Sequence, residues 1–541
     1  MLFGRRHSIP NKLRLSKVTG GIQIPSRKEL SLRSRIMPTP LPAQLIIPLQ
    51  QVGADSAIPV VAVGDTVRKY ALLAGSESDA VVPVFAPASG TVIALHQQHI
   101  TVAANRQASI ECLVLQTDTG GDESLALSGH DYRQLSPEDL CSLLASAGII
   151  DTETASKDTQ SLATLLTEAR KTNVELLVIN GIESDPYMSS EAAIAREYAE
   201  AVIQGAAILQ VATGATRCAI AISANQQESR AALQSALSGS SIELIAAPDQ
   251  YPAHDLGLVI GGLTRSTPAT VNHGVNQGVL GLAMHTALAA SERISNGKPC
   301  TSRITTITGM ATQTPKNFCV PLGTPVKHLL ALCGARDIAA TTVVSQSALN
   351  GYAMQSLDEP IAQWHAGFIA SAEDELANPQ EPEPCIQCGH CITVCPRPLQ
   401  PNQLLALTIK RDWQQLQQSG LADCIECGAC AYVCPSHLPL LQTFRAGREE
   451  LQLRQHGMQR SNYWQQRFNA HQTREAQEKT QQLEAQRLRK EQANAKAEPG
   501  FSRQQARSEI ADAVARVKAR RLASDKAATG TGKSGHSGEE Q

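Results

Sequence analysis

Two stretches of this 541-residue chain, CIQCGHCITVCP at 385–396 and CIECGACAYVCP at 424–435, constrain its fold more than anything else in it. Each reads C-x2-C-x2-C-x3-C-P, and each of the four cysteines recurs 39 positions later (385 to 424, 395 to 434). Three cysteines at steps of three line one tight loop, and the small residues Gly389 and Gly428 let backbone amides approach the sulfurs. This is the spacing of the bacterial iron–sulfur run, in which thiolates hold a 4Fe–4S cluster and the fourth cysteine of one run ligates the cluster of the other. On that rule Cys385, Cys388, Cys391 and Cys434 are assigned to one cluster, and Cys424, Cys427, Cys430 and Cys395 to the second. The competing reading is zinc, which thiolates also bind, but zinc sites use separated cysteine pairs. Here four cysteines fall within eleven residues and are closed by proline.

Two neighbouring clusters accept and return single electrons at potentials set by hydrogen bonds and burial. The assignment leaves no ligand position open, so the block is expected to conduct electrons rather than make or break bonds. His390 and His437 are read as exposed side chains beside the clusters. The segment between the runs, QPNQLLALTIKRDWQQLQQSG, reads as a helix, which predicts a helical two-cluster insert instead of the strands of a small ferredoxin. The six remaining cysteines (Cys112, Cys141, Cys218, Cys300, Cys319 and Cys333) are scattered in apolar settings and read as small core residues of a reducing compartment.

A chain this long exceeds one hydrophobic core, and the expected fold class is multidomain α/β. Aromatic residues make up only 3%, so the cores must be built from Ala, Leu, Val and Ile. Residues 1–35 form a basic, irregular segment. Residues 36–125 read as short strands between turns; VGDTV (63–67) and APASGTV (86–92) resemble the barrel-sandwich hybrid domains that carry biotin or lipoate. Such domains display a modified lysine at a hairpin tip, but the tip here is SESDAV and no lysine occurs between 70 and 156, so the module is expected to be structural. Across 126–300, strand-like VELLVING, RCAIAIS and IELIAAP alternate with helix-like segments, predicting a parallel-sheet α/β domain. Residues 301–350 suggest a β-grasp-like unit, 375–440 the two-cluster ferredoxin-type domain, and 441–541 a basic tail. In that tail a long solvated helix ends at Pro499-Gly500, a second helix covers 508–521, and a disordered Gly/Ser/Lys segment follows.

The tail carries 19 Lys+Arg against 12 Asp+Glu from residue 441 onward, a net of +7 in a chain of net −2, so the body carries −9. A basic tail on an acidic body is expected to meet an anionic surface, either partner subunits or anionic lipid. No nucleic-acid partner is expected. No run of 18 apolar residues is present to span a bilayer. The start, MLFGRRHSIPNKLRL, lacks the apolar core and cleavage site of a secretory signal.

In this order the parts resemble the RnfC-type iron–sulfur subunit of the Rnf/Rsx electron transport complex, a bacterial membrane assembly that couples electron transfer between ferredoxin and NAD to ion movement. The resemblance runs from residue 19 to about 440. It rests on TGGIQIPSRKEL (19–30), VGDTV with APASGTV, VINGIESDPY, VPLGTPVKHLL and both cysteine runs, and SEIADAVARVKARR resembles the tail repeats of some members. It implies a peripheral subunit on the cytoplasmic side of the bacterial inner membrane, partnered by the other subunits of the complex, with two 4Fe–4S clusters and with NADH and FMN bound in the α/β domain.

At the places that would bind the nucleotide, this sequence departs from the family. The G-x-G-G-A-x-F-P-T loop is expected near 146–170, where SAGIIDTETASKDTQSLATLL keeps only Gly148. The G-G-E-K-Q stretch after Tyr251-Pro252 is replaced by AHDLG, and N-V-G-T by AMHT (283–286). In NGIESDPY, Glu183 is retained, Ser184 replaces cysteine and Asp185 is the shorter acid. Dinucleotide pockets depend on such glycines, so the flavin and NADH site is expected to be weakened or lost, with Asn180, Glu183 and Asp185 left to cap the following helix. The expected function is therefore an iron–sulfur electron relay within an ion-translocating oxidoreductase. A fully active NADH-oxidising flavin subunit and a non-enzymatic scaffold or regulatory paralogue remain the alternatives.

Overall fold

Within the α/β region, four fully parallel strands run in the order Glu243–Ala247, Arg217–Ser223, Leu176–Gly181, Val279–Ala283. The central strand LLVING is buried along its whole length, as a strand covered on both faces must be. Its side chains alternate between two cores. Leu177 and Ile179 join Ile194, Val202, Leu209, Leu282 and Ile294 on one face, and Leu176 and Val178 join Ile245, Val259, Ile260 and Leu263 on the other. Helices Ala199–Thr213 and Met284–Asn296 pack closely because Gly205 carries no side chain, and a Cβ there would lie 1.8 Å from the Ala287 carbonyl oxygen.

The computed structural model describes residues 9–15, 19–50, 56–76, 81–103, 106–118, 123–151, 161–265, 278–335, 341–372, 375–376, 380–495 and 503–528. It divides into two units, residues 1–451 and 452–541. In the first unit, an antiparallel sheet of Gln44–Pro48, Arg106–Thr117, Gly90–Ala103 and Thr66–Val67 shares one apolar core with a three-stranded sheet of Ile58–Pro59, Leu72–Gly75 and Val84–Phe85. Most of the SESDAV tip, residues 77–80, lies outside the described residues. A six-stranded mixed sheet follows, centred on Ser302–Thr308 and Gly367–Ser371, which pair in parallel. It also takes in Met37–Pro38, paired with Phe318 and Cys319, and so reaches beyond the 301–350 stretch at both ends.

The segment between the cysteine runs forms two helices, Pro401–Lys410 and Trp413–Gln418, in place of one. Arg411 takes a left-handed conformation (φ +56°) and the Asp412 side chain accepts a hydrogen bond from the Gln415 amide at 3.1 Å, so the second helix starts afresh. Both pack with Leu421, Leu440, Phe444 and Leu451 into a small apolar core. The second unit holds the part of helix Leu440–Ala495 from residue 452, which is exposed throughout, and helix Arg503–Ala528, longer at both ends than the expected 508–521. Pro499, Gly500 and the Gly/Ser/Lys segment from 529 lie outside the described residues.

Candidate metal centre

Both cysteine runs adopt the same backbone turn. Gln387 and Glu426 each stand at φ +56°, Gly389 and Gly428 at +79° and +78°, and one-turn helices follow at His390–Thr393 and Ala429–Tyr432. A positive φ is where glycine is cheapest; at Gly428 a side chain is excluded twice over, since a Cβ would lie 2.6 Å from the Leu349 carbonyl oxygen. The turn aims amides at sulfur. The Glu426 N–H donates to Cys424 Sγ at 3.4 Å. The amide of Ala429 serves Cys427, those of Arg397 and Leu399 serve Cys395, and that of Asn402 serves Cys391. Hydrogen bonds of this kind favour the thiolate, the form that binds metal.

Cys385, Cys388, Cys391 and Cys434 line a single pocket. Cys395 stands within electrostatic reach of Cys424, Cys427 and Cys430. Each group of four thus draws its last member from the opposite run. Their surroundings differ: Cys385 and Cys388 are exposed, whereas Cys395, Cys424, Cys427 and Cys430 are all partly buried. Burial pushes the Cys427 thiol up to about 12 and raises Cys430 further. Such sulfurs give up their protons only when positive charge arrives, as metal binding supplies. A tetrahedral single-ion site needs sulfurs about 3.8 Å apart, given metal–sulfur bonds of ~2.3 Å. Among the described residues no three His, Cys, Asp or Glu side chains are grouped for a single ion. Four thiols that line one pocket, with an amide donor at Cys391, are the ligand set a 4Fe–4S cluster takes, each sulfur binding a different iron.

His390 and His437 are both exposed. Of the scattered cysteines, Cys112, Cys218 and Cys333 are buried, and burial pushes all three thiols up to about 12. Sequence reasoning missed several residues around the centre. Glu426 pairs with Arg445 at 3.2 Å and Arg448 at 3.3 Å, and Arg448 also donates to the carbonyls of Leu421 and Cys424. The glycines of TGGI lie against the first run: the Gly21 amide donates to the Val394 carbonyl at 2.8 Å, and a Cβ on Gly20 would meet the Cys395 carbonyl oxygen at 2.4 Å. Only the two adjacent glycines hinted at so close an approach.

Sheets of this kind take ligands where strand order reverses, here between Leu176–Gly181 and Val279–Ala283. Met284 is fully buried there, and a Cβ on Gly181 would stand 2.1 Å from its Cε. His254 closes the lip. Its Nδ1 lies 2.5 Å from Ser184 Oγ, its Nε2 3.2 Å from Asp185 Oδ2, and its carbonyl accepts from Asn180 Nδ2 at 2.8 Å. Glu183 caps helix Ser190–Glu197, accepting from Ser190 Oγ and the Glu191 amide at 3.2 Å each, and pairs with Lys28 at 3.7 Å. Of the three residues expected to cap that helix, Glu183 does so, while Asn180 and Asp185 hold His254. Within the 146–170 loop, residues 152–160 lie outside the described residues.

Glu191 lies beside Glu183 with its Oε2 buried and unpartnered, and burial followed by the Glu183 charge pushes it up to about 8. The folded state then holds a proton that the unfolded chain releases above 4.5, so stability falls as pH rises from 4.5 through 8. Glu191→Gln is expected to raise the melting temperature at pH 8 and to leave it nearly unchanged at pH 4.5, as thermal melts at the two pH values will show.

Three family models match the chain: the RnfC barrel sandwich hybrid domain over residues 16–120, the Nuo51 FMN-binding domain over 160–290 and the 4Fe-4S dicluster domain over 384–438. Curated relatives, each named as the same subunit of an ion-translocating oxidoreductase complex, include those of Serratia proteamaculans (34% identical, covering 81% of this chain and 62% of the relative) and Pectobacterium carotovorum (34%, 89% and 63%). That of Yersinia pestis is 33% identical and is covered over 75% of its own length, with 88% of this chain aligned. The chain belongs to the RnfC family of ion-translocating oxidoreductase subunits. It spans just over three fifths of the Serratia and Pectobacterium relatives. In this RnfC-family chain the dicluster match encloses all eight paired cysteines, and the FMN-binding match contains Met284, His254 and Ser184. No helix among its described residues is long and apolar enough to cross a membrane.

Proposed function

We propose that this RnfC-family protein works as an iron–sulfur electron relay of an ion-translocating oxidoreductase complex, held by the other subunits at the cytoplasmic face of the bacterial inner membrane. The observation that carries the reading is the gathering of eight cysteines into two fours, each completed from the opposite run and served by backbone amides. Cys385, Cys388, Cys391 and Cys434 would hold one 4Fe–4S group, and Cys424, Cys427, Cys430 and Cys395 the other. Each bound group supplies a one-electron couple. The chain's own residues fix the thiols, donate hydrogen bonds to them and leave Cys385 and Cys388 exposed to solvent.

In this reading residues 36–125 form a structural barrel-sandwich module, 126–300 the complex-I-flavin-subunit-like domain, 301–350 a β-grasp-like unit and 375–440 the dicluster domain. The basic tail from 441 docks on partner subunits or anionic lipid. A second reading, a subunit that oxidises NADH through bound FMN, is favoured by the match of 160–290 to an FMN-binding domain.

Iron and acid-labile sulfide should each be found at roughly eight per chain after anaerobic purification, as two four-iron clusters require. Two firmly held zinc ions and no sulfide would overturn the assignment.

A further inference from the structure

The two groups of cysteines are surrounded by different chemistry. Apart from its cysteines, the pocket of Cys385, Cys388, Cys391 and Cys434 is lined by uncharged residues, among them Gln387, Asn402, Leu405 and Leu438. Around the second group lie hydrogen-bond donors and three arginines, Arg397, Arg445 and Arg448, paired with the carboxylates of Asp255 and Glu426. Tyr251, 1% exposed, donates its hydroxyl to the Cys427 carbonyl at 2.5 Å. Arg397, 7% exposed, stands two residues from Cys395. Arg448 donates to the Cys424 carbonyl and pairs with Glu426 at 3.3 Å.

Tyr251 and Arg397 also tie this group to the parallel-sheet domain. Tyr251 pairs through its backbone with Ile22 and precedes His254 at the lip of the sheet. Arg397 Nη2 lies 3.3 Å from Asp255 Oδ1, and Asp255 caps helix Leu256–Thr264 by accepting from the Leu258 amide at 2.9 Å.

We propose that Tyr251 and Arg397 are positioning residues that raise the reduction potential of the group held by Cys395, Cys424, Cys427 and Cys430 above that of the other, making it an inner station locked to the α/β domain and leaving Cys385 and Cys388 at an outer, surface station. The inference rests on the reading of the eight cysteines as cluster ligands. Reduction adds one negative charge, so nearby cations and hydrogen-bond donors stabilise the reduced form. The carboxylates of Asp255 and Glu426 offset part of the Arg397 and Arg448 charges with which they pair. Ile386, 66% exposed between Cys385 and Cys388, marks the outer station as the one open to an approaching redox partner.

The test is a spectroscopically monitored redox titration of the full, iron-loaded chain, in which two one-electron waves are expected. The inner wave is identified as the one missing from Cys395→Ala. Arg397→Gln should lower that wave by about tenfold in the reduced-to-oxidised ratio, or about 59 mV, and leave the outer wave in place. Arg397→Lys should restore most of the shift. Tyr251→Phe, which keeps the ring and its packing, should lower the same wave by about threefold, or ~28 mV. Movement of both waves together, or of neither in Tyr251→Phe and Arg397→Gln, overturns the proposal while leaving the ligand assignment intact. An iron-free or zinc-loaded wild-type chain overturns the ligand assignment itself.

Discussion

Cys434→Ala should remove the same cluster as Cys385→Ala, although the two cysteines belong to different runs. Iron is expected to fall from roughly eight to roughly four per chain in either variant, and the surviving species should give the same low-temperature spectrum in both. Cys395→Ala should instead match Cys424→Ala. The reason is spatial. Cys434 lines the pocket of Cys385, Cys388 and Cys391, whereas Cys395 feels Cys424, Cys427 and Cys430. Each one-turn helix after Gly389 and Gly428 carries its fourth cysteine away from its own loop and towards the neighbour's. Removing one ligand from a four-cysteine site leaves an iron without its thiolate, so the loss should approach the whole cluster. If Cys434→Ala instead gave the spectrum of Cys424→Ala, each run would be holding its own cluster and the crossed assignment would be lost.

What the sequence disclosed and what it hid divide along physical lines. The repeat at 39 residues was visible because the cysteine turn is a local device, with ligand spacing, glycine and proline all inside twelve residues. The parallel sheet was visible for a related reason. LLVING and RCAIAIS are continuous apolar strands separated by segments of helical period. The sheet centred on Ser302–Thr308 was only half visible, because Met37–Pro38 joins it from more than 250 residues away and contributes two residues, too few for any periodicity. The break at Arg411–Asp412 was hidden because neither residue is a helix breaker by type, and it takes the Asp412 cap to restart the turn. Nothing in a lone Tyr-Pro pair announces that the tyrosine hydroxyl reaches Cys427, 176 positions later.

Glu183 shows the same limit from the other side. A retained acid in a family motif invites a ligand-binding role, yet here both of its oxygens serve the helix Ser190–Glu197 and Lys28. Motif retention reports a residue, and only its hydrogen bonds report its task.

NADH should leave the cluster absorbance of the purified chain unchanged, while dithionite bleaches it. The crevice at which a parallel sheet accepts a dinucleotide needs glycines, so that backbone amides can face the phosphates. In this chain Met284 fills the space beside Gly181, and His254 is held across the lip by Ser184, Asp185 and Asn180. Met284, His254, Ser184 and Asp185 stand at positions where the sequence departs from the family motif, and His254 contacts both Ser184 and Asp185. His254, Ser184 and Asp185 therefore act as one bonded group at the ends of the strands, and Met284 separately fills the space beside Gly181. A ligand would have to displace a fully buried methionine and break the His254 contacts, which cost about 1 kcal/mol each when lost without replacement. FMN added in excess and removed by gel filtration should leave less than one tenth of the chains with bound flavin. Met284→Ala with His254→Gly reopens both obstructions and should raise flavin retention above that of the parent chain. Rapid bleaching of the parent chain by NADH would instead show a working nucleotide site, and would replace the relay reading with that of an NADH-oxidising flavin subunit.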